Sequence, residues 1–127
     1  MLRKALAGAA FAFLIAGGPA TADVTVHLMH VNQANDPLWK AIAEAYNKSH
    51  PGTTVVVDYM ENEAYKAKLP TLLQSADKPG IIFSWGGGVM RAQIEAGYVQ
   101  DISASKADLD KAVYAAGLNA FTVDGKL

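Results

Sequence analysis

The residues best placed to do chemistry sit in one stretch, Gly80-Ile-Ile-Phe-Ser-Trp-Gly-Gly-Gly88. A short apolar run ends in Trp85, and three glycines follow at once. An amphipathic segment begins at Val89. The pattern predicts a buried strand, a ligand-facing crest and a helix N-terminus. Glycines there let backbone N–H groups approach a bound molecule closely. Trp85 offers a flat apolar face and a single donor. The chemistry such a crest supports is recognition of a small molecule, so it is expected to form part of a binding cleft.

Motifs of reactive chemistry are missing from the sequence. The glycines are not a Walker loop, because no Lys-Ser or Lys-Thr follows, and no third glycine falls at the offset of the dinucleotide fingerprint. Neither a Gly-x-Ser-x-Gly elbow nor a His-Glu-x-x-His run occurs. His27 and His30 are three apart on one predicted strand, so they face opposite sides and are poor partners for a shared metal. His27 reads as a core or edge histidine, and His30 is expected to face the cleft. No metal site and no cofactor are expected.

Alternating elements must position these residues. Val24, Val26 and Leu28 oppose Thr25, His27 and Met29 on a first strand, Asp23 to Val31, covered on both faces. A polar loop, Val31 to Asn35, precedes a helix with Asp36 as N-cap and Pro37 in its first turn. Leu38, Trp39, Ile42 and Tyr46 form its apolar stripe, expected to pack on the sheet. His50-Pro51-Gly52 stops it. Thr53 to Met60 is a second strand, on which Asp58 fits an edge position facing solvent. Asn62 is placed to cap the next helix, whose apolar face is Tyr65, Leu69, Leu72, Leu73 and Ala76. Pro70 is expected to kink or split that helix near Lys66. Ile81 to Trp85 is the third strand. The helix after the crest should end at Gly97 in a left-handed cap. Ser105 and Asp108 suggest a capping arrangement for one further helix through Leu109, Ala112, Val113 and Ala116.

Strand and helix alternate, which predicts a parallel α/β sheet with right-handed crossovers. A strand order 2-1-3 would put a topological switch between the first and third strands, where ligands bind beyond the C-terminal strand ends. Three loops converge there: Asn32 to Asn35, Glu61 to Asn62, and Trp85 to Gly88.

The N-terminus reads as an export signal, residues 1–22. Arg3 and Lys4 form a basic start, and Ala5 to Ala16 an apolar core too short to span a bilayer. Ala20-Thr21-Ala22 is a cleavage signal, with cleavage expected before Asp23. The chain of 127 residues has no cysteine and a net charge of −1, which loss of Arg3 and Lys4 makes more acidic. No lipid anchor and no disulfide is therefore expected, and no membrane insertion after cleavage. The lack of a basic run argues against nucleic acid as a partner. Residues 23–127 are about one small domain. The ending Phe121-Thr-Val-Asp-Gly-Lys-Leu127 reads as a strand, an Asp-Gly turn and the start of a returning strand. The sequence is thus expected to be an N-terminal fragment of a longer protein.

The chain resembles the N-terminal lobe of an extracellular solute-binding protein of family 1, the sugar-type binders of ABC importers. The resemblance rests on Trp39-Lys-Ala-Ile-Ala-Glu-Ala-Tyr46, on His50-Pro-Gly-Thr-Thr-Val-Val-Val57, and on Lys68-Leu69 to Gln74-Ser75. It continues with Pro79-Gly-Ile-Ile-Phe-Ser-Trp85, Gly97-Tyr-Val-Gln-Asp-Ile102 and Phe121-Thr-Val-Asp-Gly-Lys126. Gly80 departs from the aspartate common in the family, in a turn. The resemblance implies a type II periplasmic-binding-protein-like α/β lobe, incomplete, with a mainly parallel sheet flanked by helices. It implies a two-lobe protein that closes on its solute by hinge bending, with residues 23–127 under half of it. The implied location is the periplasm and the implied partners are a carbohydrate and the permease subunits of the importer.

For a sugar, Trp85 would stack on the ring, and Asn32, Gln33 and Asn35 would supply amide hydrogen bonds. Glu61 would accept from hydroxyls, and Gly86 and Gly87 would offer backbone N–H groups. Each has a structural alternative: Trp85 as a plug between lobes, Asn35 as a loop-shaping residue, Glu61 as a favourable charge at a helix start. An anion binder is the nearest rival, since glycines at a helix start suit phosphate, sulfate or carboxylate. An exported hydrolase is a further rival, although a glycosidase needs two opposed carboxylates and the sequence offers only Glu61 and Glu63, from one loop. Residues 23–127 alone are expected to expose apolar surface and to bind solute poorly.

Overall fold

The computed structural model describes residues 23–127. The expected export signal, with its cleavage point before Asp23, lies outside these residues. Three strands, β1 (Val24–His30), β2 (Thr53–Tyr59) and β3 (Ile81–Ile82), form a parallel sheet in the order β2-β1-β3. Five helices accompany them among the described residues: α1 (Asp36–Ser49), α2 (Asn62–Leu73), α3 (Gly88–Glu95), α4 (Lys106–Ala112) and α5 (Ala115–Ala120). β1 pairs with β2 along its whole length, from Val24 opposite Thr53 to His30 opposite Tyr59. Its pairing with β3 covers only Leu28 with Ile81 and Met29 with Ile82. The expected strand order and alternation are therefore present.

The two long helices lie on opposite faces of the sheet. Met29 faces the α2 side, where it packs with Tyr65, Leu69 and Leu73 as the buried core. Val31, Met60, Leu72, Ile82, Trp85 and Tyr98 surround that cluster. Strand alternation sends Val55 and Val57 to the other side, toward α1. There Asn47 fixes the helix to the sheet edge. Its Nδ2 donates to the Val55 carbonyl at 3.1 Å, and its Oδ1 accepts from the Val55 N–H at 2.7 Å.

That amide clamp explains a departure from the sequence reading. Of the expected apolar stripe of α1 only Trp39 faces inward: Leu38, Ile42 and Tyr46 are 58%, 49% and 41% exposed. The inward line is Trp39, Ala43 and Asn47, spaced at four residues. Two hydrogen bonds to β2 set the helix rotation, and hydrophobicity alone did not reveal them. On β2, Asp58 lies at the sheet edge as expected, where it accepts a 2.6 Å hydrogen bond from His27 Nδ1.

Several ends differ from expectation. Asp36 is the first residue of α1 rather than its cap; a 3-10 turn, Gln33–Asn35, replaces the plain loop. The side chain capping α2 is Glu61, not Asn62. Pro70 does not split α2, which runs unbroken around it. β3 leaves the ladder early, with one more hydrogen bond from Phe83 N–H to the Met29 carbonyl. The single helix expected after Ser105 is two, because Val113 and Tyr114 are extended. Ser105 makes no side-chain cap; Asp108 pairs instead with Lys111 at 2.7 Å.

Gly97 does close α3 in a left-handed conformation, φ 71°. The Tyr98 N–H donates to Gln93 O and the Gly97 N–H to Ile94 O, each at 2.9 Å, which is the Schellman pattern. At Asp124 and Gly125 the backbone makes the expected tight turn, with Val123 and Lys126 exchanging two hydrogen bonds. Strands do not flank it. Leu127 pairs instead with the segment before α4, accepting from the Ile102 N–H at 2.7 Å and donating to Ser103 Oγ at 2.9 Å.

Candidate functional site

The C-terminal ends of the three parallel strands deliver Val31, Tyr59 and Phe83 to one rim of the sheet. A concavity of about 730 Å³ opens there, lined by Val31, Asn32, Gln33, Ala34, Tyr59, Asn62 and Phe83. Of the residues singled out in the sequence, it brings together Asn32 and Gln33. Tyr59, Asn62 and Phe83 complete it and were not singled out as site residues. Position was the available signal: Tyr59 ends β2 and Phe83 follows β3, where the strand-end rule places ligands.

The first loop is held by its own polar groups. Asn32 Oδ1 accepts from the Ala34 N–H at 3.1 Å, and the Asn32 carbonyl accepts from the Asn35 N–H at 3.0 Å. This turn leaves the Asn32 amide nitrogen and the exposed Gln33 side chain for other partners. Asn35 precedes α1 without a side-chain cap bond and does not line the concavity.

In the second loop, Glu61 Oε2 accepts from the Glu63 and Ala64 N–H groups at 2.9 and 3.0 Å. Those backbone donors, Ala64 first, hold the carboxyl below its ordinary range. One Glu61 oxygen is thus spent on the helix start. Asn62 Nδ2 donates to Glu63 Oε1 at 2.7 Å, which leaves its side-chain oxygen free to accept from a solute.

Trp85 lies beside this concavity rather than in it. Its ring meets Phe83 edge-on at 5.3 Å and Tyr65 at 6.0 Å, and Lys66 Nζ stands 5.5 Å from its centroid. Trp85 lines a second, more apolar groove of about 540 Å³ between α2 and α3, with Leu69, Leu73, Gln93 and Tyr98. The Phe83–Trp85 pair therefore separates two hollows.

The glycines after Trp85 have separate geometric reasons. A Cβ on Gly86 would stand 2.9 Å from the Ala120 carbonyl oxygen, so α5 approaches the crest backbone directly. Gly87 has φ 76° and ψ −137°, a region essentially confined to glycine, and precedes α3 without a side-chain cap. Beneath the crest, Ser84 Oγ donates to Gln93 Oε1 at 2.7 Å and ties it to α3.

His30 does not face the cleft. It is 2% exposed, with its ring 5.6 Å from Tyr59 and 6.3 Å from Trp39. Its Nε2–H donates to Asp36 Oδ1 at 3.2 Å, and Lys40 pairs with Asp36 Oδ2 at 2.7 Å. Lys40, with His30, holds the Asp36 carboxyl below the ordinary range. No group of three potential metal ligands occurs among the described residues.

A parallel sheet with polar loops gathered at the switch between β1 and β3 defines the class of an α/β binding lobe. The chain belongs to the bacterial extracellular solute-binding proteins, whose family model matches residues 31–125. The family binds solutes outside the cytoplasm. No curated protein matches the chain. Among solved structures, the chain is similar to a protein from work on xylan utilization by the thermophilic bacterium Caldanaerobius polysaccharolyticus, with 25% identity and a TM-score of 0.70. The match covers 82% of this chain and 27% of that one. The fold is accordingly a periplasmic-binding-protein-like lobe. Among the described residues no helix is long and apolar enough to cross a membrane.

Proposed function

We propose that this chain supplies one wall of the solute site of a periplasmic sugar-binding protein, which delivers its ligand to the permease of an ABC importer. The observation that carries the reading is the concavity at the β1–β3 switch, where three amide side chains stand among two aromatic rings. Sugars need both surfaces: flat apolar faces for ring C–H groups and fixed polar groups for hydroxyls. Asn32, Gln33 and Asn62 would bond hydroxyls, with Tyr59 and Phe83 as apolar walls. Trp85 would stack on a further ring of an extended oligosaccharide, displacing Lys66 from its face. Asn35 and the free Glu61 oxygen would act at the margin, and the Gly86 and Gly87 N–H groups at the crest. The xylan context of the similar structure favours a xylan-derived oligosaccharide as the first candidate. A second α/β lobe, beyond these residues, would close the cleft. Export by the N-terminal signal, cleaved before Asp23, fits this role, as does a binding rather than an enzymatic task.

One observation favours a second reading, an anionic solute. The start of α3 has no side-chain cap, so its first N–H groups are open to an anion. Thermal-shift screening of the full-length protein separates the two. Stabilisation by xylotriose or other neutral oligosaccharides, with none by phosphate or sulfate, supports the sugar reading. The reverse pattern rejects it.

A further inference from the structure

We propose that His30 is a positioning residue for the solute site, holding the Asn32–Gln33 turn and the Tyr59 wall from beneath; this rests on the reading of that site as the solute site. The ring is a polar group in an apolar place. Its side chain is 3% exposed, and Nδ1 is buried without a hydrogen-bond partner among the described residues. Burying an unpaired polar atom is unfavourable, and a leucine would fill the space without it. What leucine could not supply is the Nε2–H donor to Asp36.

That bond spans six residues and closes the loop that carries Asn32 and Gln33. It joins the last residue of β1 to the first of α1, so the turn between them is anchored at both ends. Asp36 is in turn held by Lys40 from the next turn of α1. The same ring contacts Tyr59, and the His30 carbonyl accepts from the Met60 N–H at 3.0 Å. One buried side chain thus touches two of the three strand ends that shape the concavity. None of its atoms needs to meet the solute.

The test uses the full-length protein with His30→Leu, His30→Gln and Asp36→Ala. Gln reproduces a donor at the position of Nε2, whereas Leu keeps bulk and removes it. Asp36→Ala cuts the same bond from the partly exposed side, and it is read in place of His30→Leu where that variant fails to fold. The readouts are amide hydrogen exchange at Ala34 and Asn35 and calorimetric affinity for xylotriose. The expected result is exchange at both amides about tenfold faster in His30→Leu and Asp36→Ala, the scale of one charge-assisted bond. The β1–β2 ladder should be unchanged, and His30→Gln should be near wild type. Affinity should fall and recover in parallel. Unchanged exchange at Ala34 and Asn35, uniform acceleration of the ladder as well, or no rescue by Gln overturns the proposal. A wild type that ignores xylotriose but shows the exchange pattern counts against the sugar, and supports His30 as the anchor.

Discussion

The Tyr65 hydroxyl donates a 2.7 Å hydrogen bond to the carbonyl of Phe83. Tyr65 is wholly buried in the core, and Phe83 lines the concavity. The bond receives the backbone just where β3 leaves the ladder, so the packing of α2 and the position of a site wall are one arrangement. Tyr65→Phe keeps the ring and strands the Phe83 carbonyl. In the full-length protein it should cost about 0.5–1.5 kcal/mol in denaturant unfolding, the net worth of one hydrogen bond. A loss below a few tenths would show that water or relaxation replaces the bond.

Burial pushes the Tyr65 hydroxyl up from 10.0 to about 12. The folded state therefore favours the neutral phenol. The associated stability is complete below pH 10 and is lost as pH rises toward 12. Alkaline titration followed by phenolate absorbance should show one tyrosine ionising late, together with unfolding. The late component should vanish in Tyr65→Phe.

Asp36 and Glu61 give the opposite limb. Both carboxyls are held below their ordinary values of 3.8 and 4.5, Asp36 first by Lys40 and Glu61 first by the Ala64 N–H. Their contribution is present above those values and is lost as pH falls through the lowered folded ones. Glu61→Gln keeps an acceptor but loses the charge at the start of α2. It should flatten the acid limb of the stability profile, measured by melting temperature between neutral and acid pH, by lowering stability at neutral pH more than at acid pH. An unchanged acid limb would show that the cap is not held in solution.

Adjacent glycines should respond in opposite ways. Gly87→Ala forces a side chain to φ 76° and should cost about 1–3 kcal/mol. Gly88 is helical, and a Cβ there meets nothing within 4 Å. Gly88→Ala should be neutral or stabilise by about 0.4–1 kcal/mol. Equal effects of the two, by chemical denaturation, would contradict the crest geometry.

The alternation of elements, the strand order and the cap at Gly97 were legible because each leaves a local mark: period, punctuation or a glycine. The rotation of α1 was not, since it is set by Asn47 reaching Val55, a polar contact across the chain that hydrophobic spacing cannot register. The same limit applied to His30. Its place on the strand suggested a cleft, but its ring is enclosed by Trp39 and Tyr59, which come from separate elements. At the site, Asn32 and Gln33 were visible as a polar loop, whereas Tyr59 and Phe83 looked like ordinary strand residues. Trp85 drew attention by its size, although Phe83 stands between it and the amides.

Isothermal titration of the full-length protein with neutral oligosaccharides, xylotriose first, tests the central claim most directly when wild type is compared with Gln33→Ala. The Gln33 side chain is exposed and makes no hydrogen bond among the described residues, so its truncation should leave the melting temperature unchanged. The account predicts saturable binding by wild type and about tenfold or greater weakening in Gln33→Ala, the scale of a lost hydrogen bond in a closed site. Binding of equal strength in both proteins would place the solute elsewhere and contradict the account.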